Sequence, residues 1–83
     1  MGLTSRPMEV LLLAFAQAHE QLGFRERTVA CEPEETPRQL LARVAPQFNP
    51  SSARVALDCQ YGDWDGAIGP AREIAVIPPV SGG

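Results

Sequence analysis

The residues best suited to chemistry stand at the end of the printed sequence, in Pro78-Pro79-Val80-Ser81-Gly82-Gly83. The two prolines fix an extended backbone direction. The two glycines lack a Cβ, so the tip can pass through a channel too narrow for a side chain. A carboxylate at Gly83 is a poor acyl donor, but adenylation by ATP turns it into a mixed anhydride that sulfide or a thiol can attack. The tail therefore predicts a carboxyl group that a partner enzyme reaches and activates.

The rest of the sequence offers few catalytic side chains. His19 has no cysteine or second histidine at ligand spacing, so no metal site is expected. Asp63-Trp64-Asp65-Gly66 begins like a calcium loop but lacks the required bidentate glutamate, and it is predicted to be a turn. The sequence has no nucleophile–histidine arrangement and no phosphate-binding glycine loop. Any chemistry would therefore be completed by a partner, and no bound cofactor is expected.

Composition narrows the class of protein further. The 83 residues suffice for one domain, and 45% of them are hydrophobic, which is enough for a packed core. The net charge of −3 and the scattering of the seven basic residues argue against nucleic acid as a partner. All seven basic residues are arginine, so no internal amine can form a Schiff base or accept an isopeptide bond.

The cysteines and the N-terminal apolar run bear on where the protein works. Cys31 and Cys59 each end an apolar, strand-like run, which predicts two buried, reduced thiols in a cytoplasmic protein. The run Val10–Ala16 follows Arg6 and precedes Ala18 like a short signal peptide, but it is too short to span a membrane. A secreted or purely structural domain thus remains as an alternative. It predicts cleavage after Ala18 or a disulfide between the two cysteines.

Several elements can be placed from local patterns. Thr36 as N-cap, Pro37 at the first helical position and Gln39 form a capping box, which predicts a helix from Pro37 to Ala45. The segment Met8–Phe15 is ambiguous, because its residue types favour a helix while a buried strand has the same apolar pattern. The remaining predictions are a flexible lead over 1–7, a short helix over Gln17–Leu22, and strands over Phe24–Cys31, Val55–Cys59 and Ile74–Ile77. This order predicts an α+β fold in which one main helix packs across a sheet.

The tail carries a resemblance to a known family. Ile74–Gly83 resembles the C-terminal signature of the small subunit of molybdopterin synthase, the MoaD type. Val10–Gly23 is similar to the opening strand and short helix of that family, and the helix capped by Thr36 falls where the family has its main helix. The resemblance implies a ubiquitin-like β-grasp domain over residues 8–77, a strand at Met8–Phe15, and an extended tail over 78–83.

The resemblance also implies a sulfur-transfer cycle. A ubiquitin-activating-like adenylyltransferase of the MoeB type would use ATP and magnesium to adenylate Gly83. A sulfurtransferase or cysteine desulfurase system would then supply the sulfur of a thiocarboxylate. The tail would enter the large, MoaE-type subunit of molybdopterin synthase and donate sulfur to cyclic pyranopterin monophosphate. On this reading the chain is the non-catalytic subunit of a cytoplasmic heterotetramer, and it contacts neither nucleic acid nor membrane.

In this family, apolar residues on the exposed sheet face near the tail pack against both partners. The matching positions are Phe15, Tyr61 and Ile77. Ordinary core packing is the alternative for Phe15 and Ile77. A different pathway is the alternative for the whole chain, because carriers for thiamine, cysteine or tRNA thiolation and ubiquitin-like modifiers also end in Gly-Gly.

Overall fold

The computed structural model describes residues 8–15 and 18–78, and five strands and two α-helices lie within them. The predictions made for residues 1–7, 16–17 and 79–83 lie outside the described residues. In chain order the elements are β1 (Met8–Ala14), α1 (Ala18–Leu22), β2 (Glu26–Cys31), α2 (Pro37–Val44), a 3₁₀ turn (Pro50–Ser52), β3 (Arg54–Leu57), β4 (Gln60–Tyr61) and β5 (Glu73–Ile77).

The five strands form one mixed sheet in the order β2-β1-β5-β3-β4. β1 and β5 are parallel neighbours, and every other pairing is antiparallel. Because β1 and β5 are parallel, their C-terminal ends lie side by side at the same end of the sheet. This arrangement, with α2 across one face, is the β-grasp fold.

The segment with the ambiguous pattern is strand β1, at the centre of the sheet. It pairs with β2 on one side and with β5 on the other, so both sides of its backbone are hydrogen-bonded. These tertiary hydrogen bonds outweigh the helical propensity of leucine and methionine, which amounts to only a few tenths of a kcal/mol per residue. Cleavage after Ala18 would remove the strand that lies between β2 and β5.

The core lies between the sheet and α2. Alternate residues of β1, namely Val10, Leu12 and Ala14, are buried on the helix side of the sheet. Leu40 and Leu41 of α2 complete this side and are fully buried. Ile74 and Val76 of β5, Val55 of β3 and Val29 and Cys31 of β2 belong to the same cluster.

The capping box predicted for α2 is present. Thr36 Oγ1 accepts a hydrogen bond from the Gln39 amide at 3.1 Å, and Gln39 Oε1 accepts one from the Thr36 amide at 3.0 Å. The helix ends at Val44, one residue earlier than predicted, and Ala45 serves as its C-cap. The turn predicted at Asp63–Gly66 is also present, and the Asp65 amide donates to Asp63 Oδ1 at 3.0 Å within it.

The prediction for Cys59 was wrong. β3 ends at Leu57, and Asp58 and Cys59 form a two-residue hairpin turn with φ values of 51° and 72°. The following strand, β4, was not predicted. Because Cys59 lies in this turn it is exposed, whereas Cys31 is buried as predicted, and both thiols are free.

Candidate docking surface and the start of the tail

The sheet has a second face, away from α2, that carries apolar side chains. Alternation along β5 sends Ile74 and Val76 into the core and places Ala75 and Ile77 on this outer face. On β1 the same alternation gives the outer face Leu11 and Leu13, which are half-buried. An apolar outer face of this kind is unusual for a sheet side exposed to water and points to a contact with another molecule.

A shallow groove of about 280 Å³ crosses this outer face. Its floor consists of Ala56 and Ala75, which are direct partners in the β3–β5 register. Because alanine is small, the larger side chains around it stand above the floor and form walls. The walls come from Phe15, Tyr61, Ile77, Cys59 and Glu73.

The three residues predicted as a partner interface therefore lie around one groove. Phe15 is 47% exposed and Tyr61 is 66% exposed, and these are the large hydrophobic side chains most accessible to water in the described residues. Ile77 is half-buried beside them. None of the three belongs to the core cluster, so the alternative of ordinary core packing does not apply.

Backbone pairing fixes the position of each wall. Tyr61 is the register partner of Ala56 in the β3–β4 pair, which places its ring next to the groove floor. The Phe15 amide donates to the Val76 carbonyl at 3.1 Å and so extends the β1–β5 pairing by one residue. Phe15 thus lies directly after β1, beside the C-terminal end of β5.

A cation–π contact helps to position the Tyr61 ring. The guanidinium carbon of Arg54 lies 4.9 Å from the centroid of that ring. Arg54 is also the register partner of Ile77, so it adjoins two walls of the groove. Positive charge therefore lies beside the groove at Arg54, near the end of β5, while Glu73 contributes a negative charge at the start of the same strand.

The structure places the start of the predicted tail beside the groove. Pro78 directly follows Ile77 at the end of β5 and is half-buried. Pro79, Val80, Ser81, Gly82 and Gly83 lie outside the described residues. A partner that covers the groove would thus contact the body at the point from which the chain continues toward Gly83.

Sequence reasoning missed three features of this surface. The alanine floor at Ala56 and Ala75 could have been found from the alternation in β3 and β5. The contact of Arg54 with Tyr61 and the presence of Cys59 in the wall depend on the β3–β4 hairpin, which no local pattern predicted.

Among the described residues, no group of three or more metal-ligating side chains forms a metal site, and no helix is long and apolar enough to cross a membrane.

The β-grasp fold and the match to a family model define the class of protein, a ubiquitin-like sulfur carrier or modifier. More particularly, a model of the ThiS family matches residues 12–83, and the chain belongs to that family. Membership of this family implies partnership with an activating enzyme and with a catalytic subunit. The particular enzyme and subunit do not follow from membership.

Solved structures share the fold at low sequence identity. SAMP1, a small archaeal modifier protein from Haloferax volcanii, is 22% identical with a TM-score of 0.70, and the match covers 92% of this chain and all 100% of that one. A candidate molybdopterin converting factor subunit 1 from Pyrococcus furiosus is 18% identical with a TM-score of 0.67, covering 87% of this chain and 98% of that one. SAMP1 from Methanosarcina acetivorans is 19% identical with a TM-score of 0.64, covering 95% and 100% respectively. At such identities the likeness establishes the fold.

Proposed function

We propose that this chain is the sulfur carrier subunit of molybdopterin synthase. Adenylation of the Gly83 carboxylate by ATP releases pyrophosphate, and attack by a sulfide equivalent releases AMP and leaves a thiocarboxylate. The thiocarboxylate donates its sulfur to cyclic pyranopterin monophosphate in the large subunit, and hydrolysis of the acyl group by water supplies the oxygen that regenerates the carboxylate. The observation that carries the proposal is the apolar groove at the end of β5, which adjoins the start of the Gly-Gly tail.

The groove suits a partner that must hold the body while the tail reaches an active site. Phe15 and Tyr61 are aromatic side chains on an otherwise small-residue surface, and such residues dominate the binding energy of interfaces. Because both stand on backbone that is paired within the sheet, the backbone at these positions loses little freedom on binding. The body therefore contributes affinity and orientation, and the acid–base groups belong to the partner.

The pathway is the more specific part of the proposal. It is supported by the resemblance of Ile74–Gly83 to the small-subunit signature and by the fold shared with a candidate molybdopterin converting factor subunit. A carrier for another thiolation pathway is the second candidate, and the match to the ThiS family supports it. A protein modifier is the third, and the likeness to SAMP1 supports it.

The first experiment measures activation of Gly83. The full chain is incubated with ATP, magnesium, a sulfur source and an activating enzyme of molybdopterin synthesis, and its intact mass is then recorded. We expect a gain equal to the replacement of one oxygen by sulfur, localised to Gly83. Deletion of Gly83 should abolish the gain without changing the circular dichroism spectrum. Normal sulfur transfer by the deletion variant would overturn the proposal.

The second experiment tests the groove with variants on a single strand. Tyr61→Asp puts a charge into the groove, whereas Gln60→Asp puts the same charge at the neighbouring exposed position of β4. We expect Tyr61→Asp to weaken binding to the large subunit by about thirtyfold or more, since anchoring aromatic residues contribute about 2 kcal/mol or more. Gln60→Asp should bind nearly as the parent does. Equal binding by all three proteins would remove the groove from the proposal.

A third experiment separates the pathways. The thiocarboxylated chain is offered to the large subunit with cyclic pyranopterin monophosphate and, separately, to a thiazole-forming system. Formation of the dithiolene in the first reaction supports the molybdopterin pathway. Sulfur transfer only in the second reaction supports the other carrier role, and covalent attachment to substrate lysines supports the modifier role.

A further inference from the structure

β2 is an edge strand, and the outward amides of its backbone are available for pairing. The Ala14 amide donates to the Arg25 carbonyl at 2.9 Å, which sets the hydrogen-bonding phase of the β1–β2 pair. Odd-numbered residues of β2 therefore direct their amide and carbonyl toward β1, while Glu26, Thr28 and Ala30 direct theirs outward. The outward direction is visible at Ala30, whose carbonyl accepts a hydrogen bond from Arg43 Nη2 at 2.8 Å.

Little along this edge prevents another strand from joining it. Between Glu26 and Ala30 the strand has no proline, and its pairing with β1 is regular, without a bulge. The amides of Glu26, Thr28 and Ala30 have no hydrogen-bond partner among residues 8–15 and 18–78. Such an edge is a template for an additional strand unless its side chains exclude the wrong partners.

The charges along the edge differ at its two ends. Arg25, which directly precedes β2, and Arg27 flank Glu26, so this end carries a net positive charge, and Arg27 is held over the Phe24 ring at 5.7 Å. Beyond the end of β2 lies a groove of about 480 Å³ that is lined by Glu32, Glu34 and Glu35. Arg43 pairs with Glu35 at 2.9 Å, so two negative charges of this groove have no ion-pair partner among the described residues.

An antiparallel second copy of the chain is complementary to this charge pattern. Antiparallel pairing of β2 with its own copy brings the basic start of each strand to the acidic end of the other. Parallel pairing would instead bring like charges together at both ends. Opposite charges across neighbouring strands stabilise pairing, and like charges oppose it.

Charge also selects one register of this antiparallel pairing. With Thr28 opposite its own copy, Glu26 faces Ala30 and Arg27 faces Val29, so no like charges meet. If one copy slides so that residue 27 replaces residue 28 on the twofold axis, Arg27 lies opposite Arg27. If it slides the other way, so that residue 29 lies on the axis, Glu26 lies opposite Glu32.

We propose that two copies of this chain pair through β2, antiparallel, with Thr28 of each copy at the twofold axis. The outward amides and carbonyls of Glu26 and Thr28 and the Ala30 amide then complete a continuous sheet across both copies. The Ala30 carbonyl already accepts from Arg43, and its second lone pair receives the Glu26 amide of the other copy. The axis of such a pair is perpendicular to the sheet, so both α2 helices lie on one side and both outer faces on the other. The groove around Phe15 and Tyr61 stays open in each copy, and the pair can present two tails to partners.

The test measures association of the full chain by sedimentation velocity over a range of concentrations, at low and at high salt. We expect a monomer–dimer equilibrium that weakens as salt is raised, because exposed charge pairs are screened. Thr28→Pro removes an outward amide and no hydrogen bond to β1, since the Thr28 amide points away from β1. It should weaken dimerisation by about tenfold or more, because two symmetry-related hydrogen bonds are lost. Thr28→Ser keeps the amide and should dimerise as the parent does.

Charge reversal provides an independent variant set if Thr28→Pro fails to fold. Arg25→Glu and Glu34→Arg should each weaken the dimer by about fivefold to tenfold, since each makes the charges at both symmetry-related ends of the interface less complementary. The double variant restores opposite charges at both ends of the interface and should recover the dimer. A monomer at every concentration, or a dimer that all these variants leave unchanged, overturns the proposal.

The docking surface gives the competing mode of association. If Tyr61→Asp abolishes the dimer and Thr28→Pro does not, two copies associate through the outer face and the β2 proposal is wrong. The carrier function is tested separately by the mass of thiocarboxylated protein. A monomeric chain that accepts sulfur refutes only the dimer, and a dimeric chain that does not accept sulfur refutes only the carrier role.

Discussion

Arg38 on α2 and Asp65 in the loop before β5 form two parallel hydrogen bonds, from Nε to Oδ1 at 2.7 Å and from Nη2 to Oδ2 at 3.1 Å. The Arg38 amide also donates to the Trp64 carbonyl at 3.0 Å, so the side chain and backbone of one residue hold the same loop. Trp64 in turn donates through Nε1 to the Ala53 carbonyl at 3.1 Å. The start of α2 and the start of β3 are thereby joined through a single turn.

This pair leads to a prediction about protonation. The hydrogen bonds from Arg38 lower the pKa of the Asp65 carboxyl group below its ordinary value. A carboxyl titration by carbon NMR should therefore find a lowered pKa in the parent and an ordinary one in Arg38→Gln. Arg72→Gln changes an exposed arginine elsewhere and should leave the Asp65 pKa lowered. The same Asp65 pKa in all three proteins would contradict the prediction.

The lowered pKa of Asp65 also determines the direction in which stability changes with pH. Because the folded-state pKa of Asp65 is lowered, the contribution of the pair is complete above the unfolded pKa of about 3.9. It is lost as pH falls through the folded value. The difference in unfolding free energy between the parent and Arg38→Gln should thus be constant near neutral pH and shrink in acid. Both side chains are largely exposed, so the difference should be small and should decrease with salt.

The N-cap of α2 gives a prediction about stability. Thr36→Ala removes the hydroxyl that accepts from the Gln39 amide, and it should lower the free energy of unfolding by about 1 kcal/mol. Thr36→Ser retains a hydroxyl and should lie close to the parent. The measurement is urea denaturation, compared between variants whose unfolding free energies depend on urea concentration with the same slope. An alanine variant as stable as the serine variant would show that water replaces the cap without cost.

The hairpin between β3 and β4 predicts a stabilising substitution. Cys59 has a φ of 72°, a conformation that costs a residue with a Cβ about 1 kcal/mol and costs glycine almost nothing. Cys59→Gly should therefore raise the free energy of unfolding by about 0.5–1 kcal/mol, since glycine is favoured in such turns. Cys59→Ala keeps the Cβ and should not stabilise. If alanine and glycine have equal effects, backbone strain is not the cause.

The two thiols should differ in reactivity. Burial raises the pKa of the Cys31 thiol, Glu35 raises it further, and Arg43 acts in the opposite direction. Cys59 is exposed at the wall of the groove. A thiol-specific reagent should consume one thiol rapidly in the native protein and the second only on unfolding. Cys59→Ala should remove the rapid phase, and its persistence would contradict the assignment.

Some of this protein could be predicted from short-range patterns. The helix after Thr36 was predicted to within one residue, because its cap, first-turn proline and apolar stripe all act within a few residues of one another. The last strand was predicted as Ile74–Ile77 and spans Glu73–Ile77, since prolines follow it immediately. For the Gly-Gly tail the sequence predicts acyl chemistry from the backbone and the carboxyl group alone, and this stays a prediction.

Long-range contacts decided the rest. Local patterns left Met8–Phe15 ambiguous, and it is a strand because β2 and β5, far apart in sequence, supply hydrogen bonds to both sides of its backbone. Cys59 was expected in a strand, but pairing of Ala56 with Tyr61 ends β3 at Leu57 and places Cys59 in a turn. The groove likewise exists only after β1, β3, β4 and β5 are aligned. The sequence by itself determined the capped helix and the last strand and predicts the chemistry of the tail. Tertiary structure alone determined the surface beside the tail, because residues that are distant along the chain become neighbours only through strand pairing.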